Sequence, residues 1–142
     1  MKLLFKISGL IIIVFVCWAI GFLKANALHL RYKKLCNIHS GIGDLKERIR
    51  LHGGEIDRLI NLSFETYPPD YTALQKEDIT LIEDFFKNIG MSDTKAEYER
   101  CELYMNLIDT KISLAQKNYQ ELNKLYKNIG FFSGIFICIF FL

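Results

Sequence analysis

Proline is almost missing from this chain of 142 residues, and its two copies, Pro68 and Pro69, are adjacent. Long helices can therefore run uninterrupted on both sides of one stiff connector, Tyr67, Pro68, Pro69, Asp70. The four cysteines, Cys17, Cys36, Cys101 and Cys138, stand apart without paired spacing, so no disulfide framework is legible and a reducing compartment fits. Excess charge is lacking too: 18 Lys and Arg face 16 Asp and Glu, which argues against a nucleic-acid footprint. No segment alternates with a period of two, so no strand is expected. No serine or cysteine stands at a telling spacing from a histidine and an acid, and the chain is read as a non-enzyme without cofactor, metal or small-molecule substrate.

What is present is apolar sequence at both ends. Ile7 to Leu23 and Ile129 to Leu142 carry no charged residue. They divide the chain into an N-terminal transmembrane helix (1–23), a cytoplasmic helical domain (24–128) and a C-terminal transmembrane helix (129–142). The first run is near the short limit of a span, and Leu3 to Phe5 extend it if Lys6 snorkels to the headgroups. A signal peptide is the rival, since Lys2 and Lys6 give a basic start and Ala25, Asn26, Ala27 a small-any-small cleavage pattern. Lys24 beside that site, and Arg31, Lys33 and Lys34 soon after it, favour retention. The last run, fourteen residues, makes roughly 21 Å of helix against a hydrocarbon core of about 30 Å. Bilayer thinning favours a short span over an interfacial helix. Gly130 and Gly134, with Ser133, give this helix a face small enough to pack on the first span through Gly9, Ala19 or Gly21. Basic residues flank the inner side of both runs (Lys24, Arg31, Lys33, Lys34; Lys124, Lys127), so the middle is expected in the cytoplasm.

The middle reads as all-α. Leu28, Leu35, Ile42, Leu45 and Ile49 form a stripe that carries the first anchor on as a helix ending at Gly53 and Gly54. A short helix from Glu55 to about Phe64 follows. Ile79, Leu81, Ile82, Phe85, Phe86 and Ile89 give one face of a helix from about Gln75 to Ile89, with acidic residues in its first turn. Gly90 suits a left-handed cap, and Ser92 or Asp93 can cap the next helix. From Cys101 through Tyr104, Ile108, Ile112, Ala115, Tyr119, Leu122 and Tyr126 to Ile129 the apolar steps are three or four, which predicts one helix that enters the membrane without a joint.

Three motifs carry no chemistry on this reading. Cys36 and His39, with His52 beyond, fall short of the four ligands that structural zinc requires. Gly41, Gly43 and Lys46 echo a phosphate loop but lie in a helical stripe, where glycines mark a packed crossing. Glu97, Glu99 and Glu102, beside Lys95 and Arg100, are expected on a solvated helix face.

The stretch from Asp78 to Leu142 resembles the stage III sporulation protein AB family. Its members carry an Ile-Gly-any-Ser-Asp turn, here Ile89, Gly90, Met91, Ser92, Asp93. They also carry a Lys-any-Tyr-any-any-apolar-Gly junction, here Lys124, Tyr126, Ile129 and Gly130. The N-terminal end is similar, with an apolar span, Gly21 and Phe22, then Arg31 and Leu35. Phe86 and Lys87 depart from the usual Gly-Arg and Glu97 from a common Gln. The chain is also shorter between about Asn61 and Thr72, where a further helix would lie. The resemblance implies a platform in the sporulation channel complex between mother cell and forespore, with a domain resembling those of type II secretion platform proteins. Its implied partners are the membrane, a stage III sporulation protein AA-like ATPase and other channel proteins. The polar turn offers Lys87, Asn88, Asp93 and Lys95 for docking. The alternative is an exported helical protein or a small membrane-bound sensor unrelated to sporulation.

Overall fold

The computed structural model describes residues 2–53 and 55–141, without the side chains of residues 2–7, 10, 138, 140 and 141. Four helices account for the regular structure: α1 (Lys2–His52), α2 (Ile56–Thr66), α3 (Lys76–Asn88) and α4 (Thr94–Phe141), with no strand among the described residues. The all-α expectation therefore holds. α1 runs unbroken past Ala25 and Ala27 and past Gly41 and Gly43. Of the glycines expected to end it, Gly53 does so at φ +47°, its N–H bonded to the Ile49 carbonyl at 3.2 Å. Gly54 lies outside the described residues, as do the side chains of Lys2, Lys6 and Cys138. α3 has Gln75 as N-cap and Ile89 as C-cap, matching the expected limits. α2 is displaced by a residue or two toward the C-terminus, with Glu55 as its N-cap.

The chain divides into two compact units, one of Met1–His29 with Gln116–Leu142, the other Leu30–Ala115. In the first, large apolar side chains point outward: Phe15, Ile20 and Leu23 on α1, Phe132, Phe136 and Ile139 on α4. From Ile11 onward α1 is long and apolar enough to cross a membrane, with a window of mean hydropathy 2.2. Among the described residues it is the one helix that is. Together with the outward apolar side chains, this suggests membrane association. The two helices of this unit approach at glycines. A Cβ on Gly21 would lie 2.6 Å from the Tyr126 carbonyl oxygen, one on Gly130 2.9 Å from that of Cys17, and one on Gly134 3.1 Å from the Val14 Cα. A Cβ on Gly9 would meet nothing within 4 Å.

The second unit has a conventional core. Ile38, Ile42, Leu45 and Ile49 of α1 are fully buried against Leu59 and Phe64, Ile82 and Phe85, and Cys101 and Ile108. Phe64, Phe85, Phe86 and Tyr104 meet edge to face, with ring centroids 4.7 to 6.5 Å apart. Gly41 is a packed crossing, since a Cβ there would come within 2.8 Å of the Phe64 ring and 3.1 Å of the Tyr67 Cβ. The proline connector is pinned to α1 as well. Asn37 donates to the Pro68 carbonyl at 3.1 Å, and Lys34 pairs with Asp70, which also accepts the Thr72 N–H at 2.9 Å.

Candidate docking turn

The best-defined polar feature of the second unit is the turn between α3 and α4. α3 stops because Gly90 takes φ +87°, a left-handed conformation that a side chain would strain. Beyond it the chain is held by one arginine and one glutamate. Glu97, in the first turn of α4, accepts the Ser92 N–H at 2.8 Å and an Arg100 N–H at 2.6 Å on the same oxygen, Oε1. Arg100 also donates to the Asn88 carbonyl, an orphan acceptor at the end of α3, and to the Ser92 hydroxyl at 3.3 Å. One guanidinium thus joins the end of α3, the turn and the start of α4.

Glu97 corrects the sequence reading. It is fully buried instead of lying on a solvated face with Glu99 and Glu102, which are exposed. The physical reason is the turn: its free N–H groups need an acceptor, and an acidic side chain at a helix N-terminus supplies one. Its second oxygen, Oε2, is buried without a hydrogen-bond partner.

The four residues singled out for docking fall into two groups. Lys87, Asp93 and Lys95 are exposed, and among the described residues none of their side chains makes a hydrogen bond or ion pair. Asn88 is half-buried and turned back on α3, donating to the Asp84 carbonyl at 2.8 Å and its carboxylate at 3.0 Å. Sequence reasoning passed over Met91, which stands 75% exposed at the tip of the turn between the free charges. Its position between Gly90 and Ser92 was the available signal, since a flexible apolar side chain has no core to enter from a polar turn.

Elsewhere the side chains are structural. Arg31 and Asp78 form a buried ion pair within this unit. Cys36 is half-buried, and no group of three potential metal ligands occurs among the described residues. Burial, and next the Glu97 carboxylate, push the Cys101 thiol up to about 12.

A family model for stage III sporulation protein AB matches residues 53–142. The matched range takes in α2, α3 and α4, with both the Ile89 to Asp93 turn and the Lys124 to Gly130 junction. α1 lies outside it, and with it the likeness noted at Gly21, Phe22, Arg31 and Leu35. No curated protein and no solved structure matches the chain.

Proposed function

As the chain belongs to the stage III sporulation protein AB family, we propose that it is a non-catalytic membrane component of the sporulation channel complex between mother cell and forespore. In this role both apolar ends span the membrane, and residues 24–128 form a cytoplasmic platform on the mother-cell side. The platform docks a stage III sporulation protein AA-like ATPase and neighbouring channel proteins. The observation that carries the docking role is the α3–α4 turn. Its backbone is braced internally by Arg100 and Glu97, yet it leaves Met91, Lys87, Asp93 and Lys95 free for a partner. A rigid turn with an apolar tip ringed by charge loses little conformational entropy on binding and supplies a central anchor with a polar rim. The basic residues on the inner flanks of both apolar runs support the orientation.

The test is binding of the purified AA-like ATPase to the full-length protein in detergent. Met91→Asp and the double charge reversal Lys87→Glu, Asp93→Lys should each weaken it at least about tenfold, equivalent to about 1.4 kcal/mol. Helix content and melting should stay unchanged in Met91→Asp, which touches no buried group, whereas the double reversal also opposes the dipoles at the end of α3 and the start of α4 and should cost no more than about 1–2 kcal/mol while the helices remain formed. Unchanged affinity in both variants would remove the turn from the interface.

A further inference from the structure

A second surface in the unit Leu30–Ala115 is unused by the core and distinct from the turn. α4 buries Cys101, Tyr104 and Ile108 on one face, and the flank beside that face carries Leu103, Leu107 and Leu114, exposed by 56, 42 and 49%. Their spacing of four and seven, with Thr110 between, is that of a coiled-coil seam. An ordinary surface helix shows one apolar stripe, and this one shows two. Beside the seam α3 and α4 leave a groove of about 590 Å³ lined by Leu81 and Leu107 with Glu77, Thr80, Asp84 and Lys111.

The charges around the seam select its occupant. Glu77 and Asp84 stand on the α3 side, and Glu99 lies one turn before Leu103. Against them are Lys111 in the groove and Lys76 and Lys87 at the two ends of α3. A second copy pairing through the same face would set these carboxylates against their equivalents, and an anionic lipid surface would be repelled likewise. We propose that the seam and groove bind an amphipathic helix of a partner protein whose apolar ridge is flanked by Lys or Arg. The apolar ridge would fill the Leu81–Leu107 groove, and the basic flanks would face Glu77, Asp84 and Glu99. This surface stands independently of the turn and of the sporulation reading, being carried by the exposed leucines and the charges beside them.

The test uses full-length protein in nanodiscs of zwitterionic lipid and two synthetic helices with the same leucine ridge, one flanked by lysine and one by glutamate. Each carries a photo-crosslinker, and the signal from empty nanodiscs is subtracted. The lysine helix should crosslink to residues 77–84 and 103–114 and bind at least about tenfold more tightly than the glutamate helix. Leu107→Glu and Leu103→Glu, both at exposed positions, should each abolish those crosslinks without loss of helix content. Equal binding of the two helices, crosslinks elsewhere, or crosslinks that survive both substitutions would overturn the proposal. So would a dimer in sedimentation that Leu107→Glu dissociates, because a second copy would then hold the face.

Discussion

Arg31 and Asp78 meet in a two-pronged ion pair, Nε to Oδ2 at 2.7 Å and a terminal guanidinium nitrogen to Oδ1 at 3.0 Å, with side chains 4% and 0% exposed. Asp78 also accepts the Gln75 N–H at 3.1 Å, which caps α3. One carboxylate thus fastens α3 to α1 and starts α3. Desolvating two charges offsets most of their attraction, so the pair adds little net stability, but losing one partner strands the other.

Asp78→Leu and Arg31→Met should each destabilise the protein by about 3–5 kcal/mol, whereas the double variant should recover most of that loss. Urea unfolding of the full-length protein in detergent, followed by circular dichroism, would show the two single midpoints well below the double. Additive losses would mean that the two charges are not coupled.

Arg100→Ala should be the most damaging change in the α3–α4 turn. It leaves the buried Glu97 carboxylate without its counter-charge and the Asn88 carbonyl without a donor, for a loss of about 3 kcal/mol. Glu97→Gln keeps an acceptor for the Ser92 N–H and removes a charge whose Oε2 has no partner, so it should cost under about 1.5 kcal/mol. Thermal melts of the two variants side by side would separate a charged brace from a simple hydrogen-bonded cap.

These two ion pairs mark where the sequence stopped being informative. The helices were legible because apolar spacing and the glycines at 53 and 90 are local signals, and of the Leu28, Leu35, Ile42, Leu45, Ile49 stripe all but the half-buried Leu28 are buried. The first 52 residues could be read as one helix since no proline interrupts them. Arg31 and Asp78 are 47 residues apart, and periodicity cannot say that two charged positions share an interior. Glu97 was misread for a related reason: a carboxylate among other carboxylates looks solvated until the turn that needs it is folded. The exposed seam at Leu103, Leu107 and Leu114 was missed because one apolar stripe on α4 already accounted for the core.

Cys101 should make stability fall at high pH. Its thiol ionises near 9 when free and near 12 when buried, so between those values the unfolded chain has released a proton that the folded chain retains. Stability then declines by at most about 1.4 kcal/mol per pH unit from this group. Tyr104, raised by burial and then by its bond to Asp84, acts in the same direction. Unfolding at pH 8 and pH 10 should differ less in Cys101→Ala than in the native protein. At pH 8 iodoacetamide should modify the half-buried Cys36 and spare Cys101 until urea is added.

Alanine at Gly21, Gly130 and Gly9 tests the approach of α1 and α4 in the unit of Met1–His29 and Gln116–Leu142. Two effects oppose each other. Alanine favours an interior helix position over glycine by about 1 kcal/mol. At Gly9 nothing stands within 4 Å of the added Cβ, so that gain should appear undiminished. At Gly21 and Gly130 the added Cβ would meet carbonyl oxygens of Tyr126 and Cys17 at 2.6 and 2.9 Å. A backbone oxygen cannot swing aside as a side chain can, so the helices must separate, at about 1–3 kcal/mol. The clash should win, giving lower melting temperatures in detergent for Gly21→Ala and Gly130→Ala and an equal or higher one for Gly9→Ala. If all three substitutions stabilise alike, propensity alone acts and the two helices are not in backbone contact at these glycines.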